Sequence, residues 1–204
     1  MEIYLVRHGQ TGGNVAHRHQ AENSPLTDLG EKQAAAVAEQ IKALGPTHLV
    51  TSNLIRTIET ARHISKSCNL IPETDPNLVE LRRPVYMYGQ HHGSFKSLWF
   101  YVLWYLGRDT VIEDEGESYK SLRERIQVVQ ANLAKYPTDA KVVVVTHSVF
   151  MSMFLAHLCD NRPLSPLRAI FAFKRILTMP NTGVYKITHN RSDNDKICAW
   201  SLEV

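Results

Sequence analysis

Leu5-Val6-Arg7-His8-Gly9-Gln10-Thr11 decides the reading of this chain. The apolar run from Ile3 to Val6 predicts a buried strand. It stops at Arg7-His8-Gly9, so a cation and an imidazole stand at the strand's C-terminal end, where open α/β sheets bind ligands. Glycine lets the backbone turn there and approach a ligand closely. Asn14 follows within reach. Together these residues predict an anion site with a nucleophile in it.

A lone Arg-His-Gly also fits an ordinary surface turn, so the rest of the chain has to support it. Ser52-Asn53-Leu54-Ile55-Arg56-Thr57-Ile58-Glu59-Thr60-Ala61 follows the run His48 to Thr51 and places Arg56 after a second strand end. Leu78-Val79-Glu80-Leu81-Arg82 sets a carboxylate beside arginine. Val142 to Val145 predicts another buried strand, and it ends at Thr146-His147-Ser148. Two strands thus each deliver a histidine at the same relative place.

With these segments in hand, the chain resembles the histidine phosphatase superfamily, of phosphoglycerate mutase-like fold. Arg7, His8, Gly9, Thr11 and Asn14 match the family's Arg-His-Gly-x-Thr-x-x-Asn. Pro25-Leu26-Thr27-Asp28-Leu29-Gly30 resembles its Pro-Leu-Thr-x-x-Gly, and Ser52 to Ala61 its Ser-x-Leu-x-Arg-Ala-x-x-Thr-Ala. Gly116-Glu117-Ser118 and Asn181-Thr182-Gly183 resemble two later motifs. The matches keep the family's order from residue 3 to about 188. Two departures bear on the substrate. Ser148 stands where the family usually has glycine after its second histidine, and Ala21 replaces the glycine of Arg-x-Gln-Gly.

Phosphoryl transfer depends mostly on positioning and charge neutralisation. Arg7 and Arg56 can grip phosphate oxygens in bidentate fashion. His147 and Asn14 can donate further hydrogen bonds, and the start of the helix after His147 can add N–H groups. The resemblance makes His8 the nucleophile and Glu80 the group that protonates the departing oxygen and later activates water. Thr11, Gln20 and Ser148 complete the expected substrate contacts, and Arg82 and Arg83 are candidates for a second anionic group or are simply solvated cations. The other histidines, His91 and His92 among them, are expected at the surface. No histidine, cysteine or carboxylate cluster has metal spacing, so neither metal nor cofactor is expected. The expected activity is phosphomonoester hydrolysis through a phosphohistidine. Its rivals are a phosphoglycerate mutase, a phosphatase acting on phosphohistidine in a partner protein, and a non-catalytic phosphate-binding protein that keeps the fold. The mutase branch carries an Arg-His-Tyr-Gly-type motif after its acid, whereas Leu81-Arg82-Arg83-Pro84 follows here.

A chain of 204 residues with 44% hydrophobic content is expected to bury one core, giving one domain over residues 1–204. Its net charge of only +3 is spread out, which argues against a nucleic-acid partner and suits a small phosphorylated substrate. Leu98 to Leu106 is too short to span a bilayer, and Met1-Glu2 runs straight into the first strand, so a cytoplasmic protein without membrane contact is expected. Cys68, Cys159 and Cys198 form no even framework and read as inert thiols.

Helices are predicted at Asp28–Leu44, Asn53–Lys66, Glu117–Lys135 and Ser148–Cys159, and strands at Thr47–Thr51, Lys141–Thr146, Thr182–Thr188 and Lys196–Leu202. Their alternation predicts a three-layer α/β/α sandwich around a mostly parallel central sheet. Residues 82–114 fit this rhythm poorly. Tyr86, Tyr88, Trp99, Phe100, Tyr101, Trp104 and Tyr105 crowd this stretch, which reads as a cap over the site with a short helix near Ser94–Leu106. Trp99 and Trp104 are expected to face substrate. Core or a homodimer surface is the alternative.

Overall fold

The computed structural model describes residues 1–108, 116–190 and 198–203. In chain order the elements are β1 (Glu2–Arg7), the one-turn helix α1 (Gly12–Val15), α2 (Asp28–Ala43), β2 (His48–Thr51), α3 (Ile55–Cys68), β3 (Pro72–Thr74) and α4 (Phe95–Tyr105). There follow α5 (Tyr119–Leu133), β4 (Lys141–Thr146), α6 (Ser148–Ala156), α7 (Pro166–Thr178), β5 (Val184–His189) and β6 (Trp200–Glu203).

Strands that are apolar on both faces must be covered on both faces. Ile3 and Leu5 of β1 and Val142 and Val144 of β4 pack into one cluster with Leu122, Ile126 and Val129 of α5 and Phe150 and Phe154 of α6. Tyr4, Val6, Val143 and Val145 point the other way, onto Val37, Ala38 and Ile41 of α2 and Ala61 and Ile64 of α3. The result is the expected three-layer sandwich. The sheet runs β3-β2-β4-β1-β5-β6. β3, β2, β4 and β1 are mutually parallel, β5 is antiparallel to β1, and β6 is antiparallel to β5. The mostly parallel reading holds.

Element boundaries follow the caps. Thr27 Oγ1 accepts the Gly30 N–H at 3.1 Å and starts α2 where the sequence places it. Ser118 Oγ accepts the Ser121 N–H at 3.0 Å, so α5 begins two residues later than predicted and Glu117 lies outside it. α6 stops at Ala156, short of Cys159. Of the last predicted strand, residues 196–197 lie outside the described residues and β6 begins at Trp200. α1, β3 and α7 have no counterpart among the elements predicted from the sequence. The Cys159 and Cys198 sulfurs are bonded to each other, which corrects the reading of three inert thiols and leaves Cys68 free. Their separation of 39 residues carries no motif; the bond joins the segment just after α6 to the residues just before β6.

The expected insertion is described up to residue 108, with 109–114 outside the described residues. Its helix is α4. Ser97, Phe100 and Trp104 form its buried side, and Trp104 Nε1 donates to the Glu117 carbonyl at 2.8 Å. Trp104 is therefore core, not a substrate face. Trp99 is half-exposed and stacks on Phe95. Among the described residues no helix is long and apolar enough to cross a membrane.

Candidate active site

The register of two neighbouring strands builds the centre. β1 and β4 pair in parallel with Arg7 opposite Thr146, so the next residue of each strand is a histidine. The His8 N–H donates to the Thr146 carbonyl at 3.0 Å, and the His8 and His147 rings lie 5.2 Å apart, both buried. The turn after His8 needs glycine for space. A Cβ on Gly9 would sit 2.6 Å from the Gly30 carbonyl oxygen, because the first turn of α2 packs directly onto it. Gly30 of the Pro-Leu-Thr segment is needed in turn, because a Cβ there would sit 2.1 Å from the Gln10 carbonyl oxygen.

Hydrogen bonds assign the two rings different states. His8 Nδ1 lies 2.7 Å from the Gly9 carbonyl, which can only accept. Nδ1 therefore carries the proton, and Nε2 keeps its lone pair. His147 Nδ1 accepts from Arg56 Nε at 3.3 Å, so its Nε2 donates to Ser52 Oγ at 2.9 Å, which is in turn 2.7 Å from Thr57 Oγ1. Burial, then Arg56, pushes both imidazoles well below the usual histidine range; Arg7 adds to this at His8, and His8 adds to it at His147. Both rings are neutral at neutral pH.

Two guanidiniums converge on them. Arg7 Nη1 donates to the Met179 carbonyl, while its Nε is buried without a partner. Arg56 Nη1 reaches the Ala21 and Glu22 carbonyls at 3.3 and 3.4 Å. Among the described residues, neither has a carboxylate within salt-bridge distance. Burial lowers both, Arg56 to about 10, and both stay charged at neutral pH. Buried cations are costly; the charge of Glu80 offsets part of that cost at both arginines, and a bound anion offsets more.

Asn14 is aimed by its own oxygen. Asn14 Oδ1 accepts the Thr11 N–H at 3.1 Å and Asn181 Nδ2 at 3.1 Å, which turns its amide nitrogen away from those donors as a donor of its own. Asn14 and Asn181 both line the cleft. Asn181 was not among the candidate residues, although its Asn-Thr-Gly turn was visible. Gln20 lines the cleft as well. Thr11 does not. It is buried, caps α1 and holds Asn14 and Gln20, with Oγ1 3.0 and 2.6 Å from their side-chain oxygens.

Glu80 occupies the start of α6. Its Oε1 accepts from Phe150 N at 3.0 Å and Leu81 N at 3.0 Å, and Oε2 accepts from Val149 N at 3.3 Å. The N–H groups of Val149 and Phe150, which the sequence offered to phosphate, therefore hold Glu80 instead. A second device fixes the Glu80 segment. Glu117 grips Arg125 with two bonds of 2.7 and 2.6 Å, and Arg125 Nη1 donates to the Asn77 and Val79 carbonyls at 2.6 and 2.8 Å. Nothing in the sequence paired Glu117 with Arg125.

Ser148, first residue of α6, lines the cleft. Arg82 is exposed and does not line it, and its carbonyl accepts from Glu117 N at 2.8 Å. Arg83 is a buried wall residue bonded to the Tyr101 hydroxyl and the Leu81 carbonyl, not a solvated cation. His91 is exposed as expected, but His92 is half-buried and His19 fully so, and all three line the cleft. Their neighbours, the pairs His19–His92 and His17–His91, tie the loop after α1 to the segment before α4.

An imidazole nitrogen with a free lone pair beside two buried guanidiniums is the arrangement the opening motif implied, and the family model of the histidine phosphatase superfamily (branch 1) matches residues 3–197. The chain belongs to that superfamily. It is 36% identical over 160 residues to a probable phosphoglycerate mutase GpmB of Enterobacter sp. (strain 638), covering 76% of this chain and 74% of that one. The probable phosphoglycerate mutase GpmB of Proteus mirabilis is 34% identical over 164 residues, covering 76% and 74%. Among solved structures, a native mycobacterial glucosyl-3-phosphoglycerate phosphatase is similar at 25% identity and TM-score 0.75, over 100% of this chain and 97% of that one. A phosphoserine phosphatase mutant from Entamoeba histolytica shares the fold at 20% identity and TM-score 0.77, over 100% and 95%. The superfamily's phosphatases and mutases make an enzyme of this chain.

Proposed function

We propose that this protein hydrolyses phosphomonoesters without a metal, through a phosphohistidine on His8. One observation carries the reading: the Nδ1–H of His8 is tied to the Gly9 carbonyl, which leaves an unprotonated Nε2 beside Arg7 and Arg56. A phosphoryl dianion adds to the partial counter-charge that Glu80 gives those arginines. Nε2 attacks phosphorus, the P–N bond forms as the ester P–O bond breaks, and Glu80 gives a proton to the departing oxygen. Water then attacks the phosphohistidine with Glu80 taking its proton, and inorganic phosphate leaves. Arg7, Arg56, His147 and Asn14 hold the three non-bridging oxygens throughout.

The mutase reading shares this half-reaction and has the GpmB-named relatives behind it. Hydrolysis is favoured by the cleft wall beyond Glu80, which is apolar and suits a bulky leaving group better than a phosphoglycerate carboxylate. Residues 82–108 serve as the cap in this reading, with α4 as its wall. We place the enzyme in the cytoplasm, where the Cys159–Cys198 bond would meet a reducing thiol pool. The test is a panel of phosphomonoesters assayed with excess chelator beside a 3-phosphoglycerate isomerisation assay. Phosphate release that survives the chelator, with no 2-phosphoglycerate formed, is the expected result. Isomerisation outpacing release makes the protein a mutase, and activity that returns only with added metal ends the metal-independent reading.

A further inference from the structure

The cleft that begins at His8 extends far beyond a phosphate. Its volume is about 1010 Å³, the upper limit for small-molecule sites, which run to about 1,000 Å³. Its outer walls are the facing sides of α4 and α7, with Leu98, Val102 and Leu106 on one and Ile170, Phe173 and Leu177 on the other. The tyrosines of that wall also present carbon. Tyr105 Oη donates to the Leu164 carbonyl at 2.7 Å, and Tyr101 Oη accepts from Arg83 Nε and Nη2 at 3.0 and 2.9 Å. On the opposite wall Arg18 Nη1 donates to the Gly89 carbonyl at 2.6 Å and Arg83 Nη1 to the Leu81 carbonyl at 3.4 Å, with His17, His91 and His92 beside them. The rim is open and apolar, with Leu98, Val102, Leu106, Ile170 and Leu177 between 47% and 79% exposed. Contiguous exposed carbon of this kind marks a surface that something covers.

Building on the phosphatase reading, we propose that the ester cleaved here is the monophosphate of a long aliphatic alcohol. Its phosphate lies between Arg7 and Arg56, and its hydrocarbon runs between α4 and α7 and out over the rim. A sugar would lose its water against carbon in that wall and find partners for its hydroxyls only on the opposite side, at His17, His91 and His92. A compact ring would fill the inner cleft and leave the rim bare. A chain covers both, and an open-ended slot tolerates a chain longer than itself.

The experiment is a series of ethyl, butyl, hexyl and octyl phosphates, each held below its aggregation concentration. Leaving-alcohol basicity is nearly constant across the series, so chain length acts through binding alone. Each buried methylene is worth about fourfold, so kcat/KM should rise about 10³-fold or more from ethyl to octyl phosphate if the six added methylenes are buried, and about 60-fold if only half of them are. Leu98→Glu and Ile170→Glu, at exposed rim positions, should each lower the octyl-to-ethyl ratio by about tenfold. A flat series in which ethyl phosphate is turned over overturns this inference and leaves the phosphatase reading standing. No release from any member overturns both. A ratio unmoved by the glutamates while a dimer dissociates assigns the rim to a second copy of the chain and overturns the inference.

Discussion

Arg56 Nε donates to His147 Nδ1 across 3.3 Å. In the free enzyme that nitrogen is an acceptor, yet a phosphate oxygen there requires a donor. Nε2 already donates to Ser52, so Nδ1 gains a proton when the anion binds unless the Ser52 hydroxyl turns to donate to Nε2. Sulfate, a dianion across the neutral range, should therefore bind with uptake of about one proton, and its affinity should fall as pH rises above neutrality. Titration calorimetry in buffers of different ionisation heat reads this directly. Zero uptake would mean that His147 swaps tautomer with Ser52 instead.

Acid should destabilise the fold well before its carboxylates titrate. His8, His147, His19, His92 and His157 are all lowered by burial, His19 to about 3. An unfolded histidine titrates near pH 6.5. Between that value and each lowered one, the unfolded chain binds protons that the folded chain refuses, so stability falls as pH falls. The melting temperature at fixed ionic strength should be level above about pH 7 and clearly lower at pH 5. Equal values at pH 5 and 7 would contradict the assigned neutral rings.

Glu117→Gln should unfold at markedly lower urea. Glu117 and Arg125 are 6% and 8% exposed, and breaking a buried pair by removing one charge costs about 3–5 kcal/mol. Because Arg125 also holds the carbonyls of Asn77 and Val79, turnover of esters with poor leaving groups should fall further than turnover of aryl phosphates. Stability loss without that substrate bias would separate the ion pair from the placing of Glu80.

Trp104→Ala should cost about 3–5 kcal/mol of stability as a large-to-small core change, whereas Trp99→Ala should change stability by less than about 0.5 kcal/mol. Chemical denaturation of the two variants decides it, and a reversed order would put Trp104 back in the substrate site.

These outcomes mark what a single sequence carries. His8 and His147 were legible because a buried strand shows its end sharply, and two such ends in parallel register fall together. Arg56 and Asn14 were legible for the same reason, each following an ordered cap or turn. The aromatic stretch was legible only as a helix. Which side of α4 faces the core depends on α5 and Glu117, far along the chain, so Trp104 and Trp99 exchanged places with Tyr101, Leu98 and Val102. α7 carries a plain start signal in Ser165-Pro166, and reading it would have supplied the second wall of the cleft. Arg125 with Glu117, and Cys159 with Cys198, are tertiary pairings with no local trace.

The central claim is that His8 Nε2 takes the phosphoryl group. Single-turnover reaction with a labelled phosphomonoester, quenched in denaturant at alkaline pH, should give an acid-labile, base-stable label that maps to the peptide containing His8. His8→Ala should carry no label, keep its fold and lose turnover by roughly 10⁴-fold or more. A His8→Ala enzyme near wild-type rate, or a label on another residue, would contradict the account.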